Sequence, residues 1–170
     1  GRAAAPPPGP DPMLGARGGD PAGRRLAHPR AGRPTVWKVP ADRLARVPNG
    51  IAVERYTAAR PTPAAGLRKT DRDIVAISVG GMRAEKNRGR LLRLLTGLPE
   101  RLPVRLVLVG DGPERPRLEA ASARFGDRVL LLGARRDVPE LLAGSDIFSL
   151  ASDTEQMPLA ILEAMAAGLP

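Results

Sequence analysis

Short apolar runs alternate with stretches of helical periodicity along the chain from residue 73 onward. The apolar runs are typical of strands covered on both faces, and they predict strands over Ile74–Val79, Val104–Val109, Val129–Leu132 and Ile147–Leu150. Helices are predicted after these strands, over residues 87–98, 113–124, 138–143 and from Pro158 to Gly168. Strict alternation of strand and helix predicts a parallel sheet with right-handed crossovers.

The predicted fold class is therefore α/β, a Rossmann-like parallel sheet with helices on both faces. Asp137 and Glu140 lie three residues apart and predict a capping box for the helix over 138–143. Pro158 suits the first turn of the last helix, where its missing N–H is not needed. A fifth strand is expected after Pro170, so we expect a truncated sheet with an exposed edge and reduced stability.

The first part of the chain has a different composition. Residues 1 to about 35 are rich in Pro, Gly, Ala and Arg and have almost no large apolar side chains. Such a segment cannot bury enough apolar surface to offset its ordering entropy. We predict a disordered tail over residues 1–46 and a partial Rossmann-like domain over 47–170, which opens near the Asn49-Gly50 turn signal.

Charge and composition restrict the functional classes. The net charge is +9, and residues 1–47 contribute +6 of it. One hypothesis is a basic Rossmann-like binding module whose Arg-rich tail contacts nucleic acid. The four aromatic residues of the chain offer few platforms for base stacking, which weakens this hypothesis. With no cysteine and no apolar run of about 18 residues, neither a disulfide nor a spanning helix is expected, and a cytoplasmic location is the default.

Candidate chemistry lies in the loops after the strands, because open α/β sheets bind ligands beyond the carboxyl ends of their strands. The first loop begins with Gly80 and Gly81, which allow a ligand to approach the backbone closely. Arg83 and Lys86 follow, at the start of the next helix, where free N–H groups and the helix dipole favour anions. A diphosphate would suit this loop, but taken alone the stretch fits a solvated, charged turn somewhat better.

Two further loops complete this edge of the sheet. Gly110-Asp111-Gly112 follows the second strand, and alone it fits a structural turn better than a ligand loop. Glu155 and Glu163 have seven residues between them, and Glu163 would lie about 7 Å along the helix axis from its start. This separation would let two acids bind two ends of one polar ligand. Considered alone, each acid is more typical of an ordinary solvated side chain.

The stretch from Glu155 to Gly168 resembles the acid-x7-acid signature of retaining glycosyltransferases of the group 1 family, also called family 4, which have the two-domain GT-B fold. Glu155-Gln156-Met157-Pro158, followed by Leu162-Glu163-Ala164-Met165-Ala166, resembles a bacterial branch of it. Most of the family has Gly where this chain has Gln156. The resemblance covers about residues 47–170. The family often has Arg five residues before Lys86, where this chain has Gly81.

The resemblance implies that this segment is the donor half of an enzyme that transfers a sugar from a nucleotide sugar to a saccharide or lipid-linked acceptor, with retention of configuration. It implies that Lys86 contacts phosphate and that Arg83 substitutes for the missing Arg. Glu155 would touch the donor sugar, and Glu163 would accept hydrogen bonds from the ribose hydroxyls. The other residues implied in donor binding are Gly80, Gly81, Gly110, Asp111, Gly112, Gln156, Met157 and Pro158.

Several further expectations follow from the resemblance. No metal or cofactor is required, because the leaving nucleoside diphosphate would be stabilised by Lys86, Arg83 and helix N-termini. The acceptor half would precede this segment and be absent, so the isolated chain is expected to have little or no transferase activity. Any peripheral membrane contact would be made through that half.

A Rossmann dehydrogenase is disfavoured, since the first strand–helix turn lacks Gly-x-Gly-x-x-Gly.

Overall fold

A computed structural model of the chain describes Arg43, Ala45 and residues 47–170 except 65, 66, 68, 69 and 100. The predicted disordered tail, residues 1–46, lies outside the described residues apart from those two positions. The chain divides into two units, Gly1–Val47 and Pro48–Pro170, and the second contains all of the sheet. No helix among the described residues is long and apolar enough to cross a membrane.

The second unit is built on a four-stranded parallel sheet with the strand order β3-β2-β1-β4. Its strands are β1 (Ile74–Val79), β2 (Val104–Val109), β3 (Val129–Gly133) and β4 (Ile147–Phe148). The chain runs outward from β1 through β2 to β3 and then returns to place β4 on the other side of β1. The predicted α/β class, with its parallel Rossmann-like sheet, is confirmed.

Helices cover both faces of the sheet, because successive side chains of β1 and β2 point to opposite sides. One face carries Ala76, Leu106 and Leu108 against leucines of the helices that follow β1 and β2. The other face carries Val75, Ile77, Val107 and Val109 against the remaining helices. The helices are α1 (Glu54–Thr57), α2 (Gly89–Gly97), α3 (Arg115–Ser122), α4 (Val138–Ala143) and α5 (Leu159–Ala166).

The predicted capping box of α4 is wrong. The Asp137 side chain makes no capping hydrogen bond. Arg135 donates to both of its carboxylate oxygens instead, at 2.8 and 2.6 Å. Pro139 is the second residue of α4 and has no N–H, which removes one of the two donors that a capping side chain uses. A bidentate, charge-assisted pair therefore prevails over the cap.

Several predicted element boundaries also shift. β4 ends at Phe148 rather than Leu150, because only Ile147 and Phe148 pair with β1 before the chain turns away. α2 begins at Gly89 rather than residue 87, because Asn87 is in the left-handed conformation, with φ 40°. Pro158 precedes the first turn of α5 and has extended backbone, with ψ 115°.

Candidate functional site

The loops after β1 and β4 meet in an ion pair at the carboxyl edge of the sheet. Lys86 Nζ lies 2.6 Å from Glu155 Oε1, and both side chains are partly buried. The Ser152 hydroxyl donates to the same carboxylate oxygen at 2.7 Å. The structure thus brings together two of the predicted site residues, which are 69 positions apart in the sequence.

A second set of polar contacts fixes these two loops to each other. Asn87 Nδ2 donates to both carboxylate oxygens of Asp153, at 3.1 and 3.0 Å. Arg90 donates to Asp153 at 2.6 Å and to the Ala151 carbonyl at 3.0 Å. The Asp153 N–H donates to the Glu85 carbonyl at 2.9 Å. Asp153 is therefore the point at which the loop after β4 is held against the start of α2.

Hydrogen bonds keep both acids of this loop ionised. The hydrogen bond from Lys86, and then that from Ser152, hold the pKa of Glu155 below its ordinary value. The hydrogen bond from Asn87, and then that from Arg90, lower the pKa of Asp153 in the same way. At neutral pH the loop contacts are consequently charge-assisted.

These pKa shifts predict acid sensitivity of the folded state. Because the folded-state pKa values of Glu155 and Asp153 are depressed, their stabilisation is complete above the ordinary carboxyl pKa and is lost as the pH falls through the depressed values. Urea unfolding between about pH 6 and about pH 3 should show a smaller loss of unfolding free energy for Asp153→Asn than for the wild-type chain. Asp71→Asn, which changes an exposed carboxylate, is the control. If the unfolding free energy depends on pH equally in Asp153→Asn and the wild type, Asp153 does not have a depressed pKa in the folded state.

The turn after β2 packs tightly against the turn after β1. The Met82 N–H donates to the Asp111 carbonyl at 2.8 Å, and the Glu114 N–H donates to the Met82 carbonyl at 3.0 Å. A Cβ added at Gly110, whose φ is +128°, would stand 1.8 Å from the Gly80 carbonyl oxygen, and one added at Gly112 would stand 2.5 Å from that of Met82. Both glycines are therefore required by the approach of backbone to backbone, as the structural-turn alternative expects.

Asp111 is occupied within its own turn. One of its carboxylate oxygens accepts the Gly112 N–H at 2.7 Å, and the other accepts a hydrogen bond from Arg115 in the first turn of α3 at 3.1 Å. More than half of the Asp111 side chain stays exposed. Its observed contacts stabilise the turn and do not reach Lys86 or Glu155.

Arg83 lies in the loop after β1, three residues before Lys86. Its side chain is exposed, and its Nε lies 3.9 Å from the position that a Cβ on Gly81 would take. The guanidinium thus lies beside the backbone of Gly81, the position at which the family that the sequence resembles often has an arginine. Arg83 also lines a cavity between α2 and α3, which Lys86 does not line.

Glu163 lies in the second turn of α5 and is half-buried next to Tyr56 of α1. Burial first, and then a hydrogen bond to Glu163 and the negative charge of Glu163, raise the pKa of the Tyr56 phenol to about 12. α1 packs against α5, which places the two side chains together. Upstream, the Asn49 amide donates to the Met157 carbonyl at 3.2 Å, whereas the side chains of Gln156 and Met157 are exposed.

Several contacting residues were not found from the sequence. Ser152, Asp153 and Arg90 hold the loop that carries Glu155, and Tyr56 holds Glu163. Ser152 stands three residues before Glu155, a spacing that favours local side-chain contact and could have been noticed. The contacts of Arg90 and Tyr56 join distant parts of the chain and have no local signal. Among the described residues, no three His, Cys, Asp or Glu side chains are grouped so as to hold a metal ion.

Comparison with known proteins gives a consistent result. The family model described as glycosyl transferases group 1 matches residues 73–170. Over 136 residues, the chain is 35% identical to EpsF of Bacillus subtilis, which is named as a glycosyltransferase; the match covers 76% of this chain and 35% of EpsF.

Two solved structures show a similar fold. The crystal structure of WaaG, a glycosyltransferase involved in lipopolysaccharide biosynthesis, is similar with a TM-score of 0.66 and 27% identity, over 81% of this chain and 39% of WaaG. Anabaena HepE, crystallised with UDP and glucose, is similar with a TM-score of 0.59 and 26% identity, over 72% of this chain and 35% of HepE. The chain thus spans little more than a third of the length of each of these proteins.

Proposed function

The chain belongs to the group 1 glycosyl transferases, and from this premise we propose that it binds a nucleotide sugar as the donor half of an enzyme that transfers the sugar to an acceptor with retention of configuration. The single observation that best supports this function is the ion pair of Lys86 with Glu155 at the carboxyl edge of the parallel sheet. That edge is where open α/β sheets bind their ligands. HepE, a similar structure, is described in complex with UDP and glucose.

The phosphates of the donor would lie over the loop after β1. Lys86 supplies a positive charge there, and α2 directs its N-terminus to the same edge, where the helix dipole favours anions. Arg83, beside Gly81, adds a second charge in place of the family's missing arginine. Positive groups fixed where negative charge develops on the leaving diphosphate lower the barrier without a metal ion.

The two acids would hold the sugar and the ribose. Glu155 is kept ionised by Lys86 and Ser152, so it can accept hydrogen bonds from sugar hydroxyls as the phosphates draw Lys86 away. Backbone N–H groups near Gln156 and Met157, just before α5, would assist. Glu163, four residues into α5 and roughly 6 Å along its axis from Leu159, would accept hydrogen bonds from the ribose hydroxyls.

Calorimetric titration of UDP, GDP and ADP tests this function. We expect one of the three nucleotides to bind, and Glu163→Ala to weaken its binding about 10- to 150-fold, because a hydrogen bond to a charged acceptor contributes roughly 1.5–3 kcal/mol. Glu54→Ala, which removes an exposed glutamate of α1, should leave the affinity unchanged. Equal affinities of Glu163→Ala and the wild type would contradict the role of Glu163.

A double-mutant cycle with the ligand separates ribose binding from general damage. The wild-type chain should bind the 2′,3′-dideoxy form of that nucleotide more weakly than the normal form, whereas Glu163→Ala should bind both forms equally. If removing the ribose hydroxyls instead weakens binding by the same factor in Glu163→Ala and in the wild type, Glu163 does not contact the ribose. If none of the nucleotides binds the wild-type chain, donor binding by this chain is refuted.

The acceptor is a saccharide or a lipid-linked saccharide in this proposal, in keeping with the role of WaaG in lipopolysaccharide biosynthesis. The basic nucleic-acid-binding module is the weaker hypothesis. It depends on residues 1–46, which lie almost wholly outside the described residues, and the similar proteins are glycosyltransferases.

A further inference from the structure

A cavity of about 220 Å³ lies between α2 and α3, on the sheet face opposite α4 and α5. Its lining is strongly basic. Against the single carboxylate of Glu114, five arginines line it, namely Arg83, Arg88, Arg93, Arg117 and Arg124. Lys86 and Glu155 are not among the lining residues, so the cavity shares only Arg83 with the charged side chains of the proposed donor site.

Arg88 is a buried cation in the lining of this cavity. Only 4% of the residue is exposed, and its guanidinium donates to the carbonyls of Ser78 at 3.1 Å and Gly80 at 2.6 Å. Its Nε has no hydrogen-bond partner, and neither of its bonds goes to a carboxylate. Burial lowers the pKa of Arg88 to about 10, which still leaves it charged at neutral pH. A buried cation without a countercharge is costly, and an anion nearby would offset that cost.

The surrounding arginines are only partly neutralised. Arg117 pairs with Glu114 at 3.0 Å, and Arg124 donates to the Thr96 hydroxyl while its guanidinium lies 4.7 Å from the centre of the Phe125 ring. Within the described part of the chain, Arg83 and Arg93 make no hydrogen bond or ion pair, and the charge of Arg93 acts on the Asp153 carboxylate. The cavity lining therefore keeps an excess of four positive charges.

The size of the cavity restricts its ligand. Ligand pockets for whole small molecules usually span about 300–1,000 Å³, so a nucleotide sugar would not fit. A phosphate or diphosphate group is small enough, and guanidinium groups bind its oxygens in forked, charge-assisted pairs.

We propose that the cleft between α2 and α3 is a second anion site, which binds a phosphate or diphosphate group above the buried charge of Arg88. The exposed guanidinium groups of Arg117 and Arg124 contact the anion, and Arg88 stabilises it through the low-dielectric interior. The phosphate belongs either to a soluble phosphorylated compound or to the headgroup of an anionic lipid, since both present the same oxygens.

Titration with inorganic pyrophosphate tests the site. The double variant Arg117→Glu/Arg124→Glu should lower pyrophosphate affinity by about tenfold or more relative to Arg101→Glu/Arg136→Glu, which changes the net charge equally at exposed arginines outside the cavity. All measurements are made in a Lys86→Ala background, which removes the donor-site cation that does not line the cavity. Circular dichroism melting verifies that both variants are folded. Equal pyrophosphate affinities of the two folded double variants would overturn the proposal.

The source of the phosphate is identified by cosedimentation with vesicles. If vesicles of phosphatidylglycerol and phosphatidylcholine bind the chain with Arg101→Glu/Arg136→Glu and release it with Arg117→Glu/Arg124→Glu, the ligand is a lipid headgroup. If only pyrophosphate distinguishes the two double variants, the ligand is a soluble phosphate compound. Nucleotide binding measured with Lys86 in place should be the same in both double variants, so the anion site and the donor site are tested independently.

Discussion

Replacing Gly110 with alanine is expected to lower the free energy of unfolding by at least roughly 3 kcal/mol. The new Cβ would stand 1.8 Å from the Gly80 carbonyl oxygen and 2.7 Å from its carbonyl carbon, and the φ of +128° is unfavourable for any residue with a side chain. Backbone atoms on both sides cannot move aside as a flexible side chain would. Urea unfolding followed by circular dichroism measures the loss.

Gly97→Ala is the matched control for this substitution. Gly97 is the last residue of α2, no atom lies within 4 Å of an added Cβ, and its backbone is not in the left-handed region. Alanine there should be neutral or stabilise the chain by up to about 1 kcal/mol, because alanine is the better helix former. If Gly110→Ala proves as mild as Gly97→Ala, the turns after β1 and β2 are not packed as described.

Lys86→Ala is expected to weaken UDP binding, or binding of whichever nucleoside diphosphate the chain prefers, by about 10- to 150-fold. The side chain supplies a charge-assisted contact to phosphate, so the corresponding nucleoside, which has no phosphate, should bind the variant and the wild type equally. Parallel calorimetric titrations of the nucleotide and the nucleoside measure both values. Lys86→Arg should recover only part of the loss, because a guanidinium does not reproduce the position of an ammonium group.

Folding should survive this substitution. The pair of Lys86 with Glu155 is partly exposed, and such pairs contribute about 1 kcal/mol or less to stability. Arg101→Ala, which removes a positive charge from an exposed residue, is the control for net charge. A Lys86→Ala chain that loses nucleoside and nucleotide binding to the same extent would show that Lys86 acts on the fold rather than on phosphate.

The sheet was predictable because the composition of each strand reflects how deeply that strand is buried. β1 and β2 are covered on both faces, so their residues are apolar except Ser78 and Arg105, and both were predicted with their observed bounds. β4 was predicted too long, since the run Ile147–Leu150 continues beyond the two residues that pair with β1. Strand identity follows from composition, whereas strand length depends on the neighbouring strand.

The candidate site was only partly predictable. Lys86 and Glu155 could be named from their motifs, but their contact joins loops that no local rule connects. At Asp137 a local rule was available but failed. The motif predicted a capping box, whereas the carboxylate pairs with the nearby Arg135. Arg88 was not singled out, because a buried arginine between partly exposed residues gives no pattern in the sequence.

The position of α1 has a practical consequence for work on this protein. The region matched by the family model starts at residue 73, yet α1 lies upstream of it, buries Tyr56 and packs against α4 and α5. Trimming the polypeptide to the matched region would strip a hydrophobic cover from the sheet and leave Glu163 without its phenol neighbour. Recombinant versions intended for crystallisation or screening should therefore start at or before Pro48.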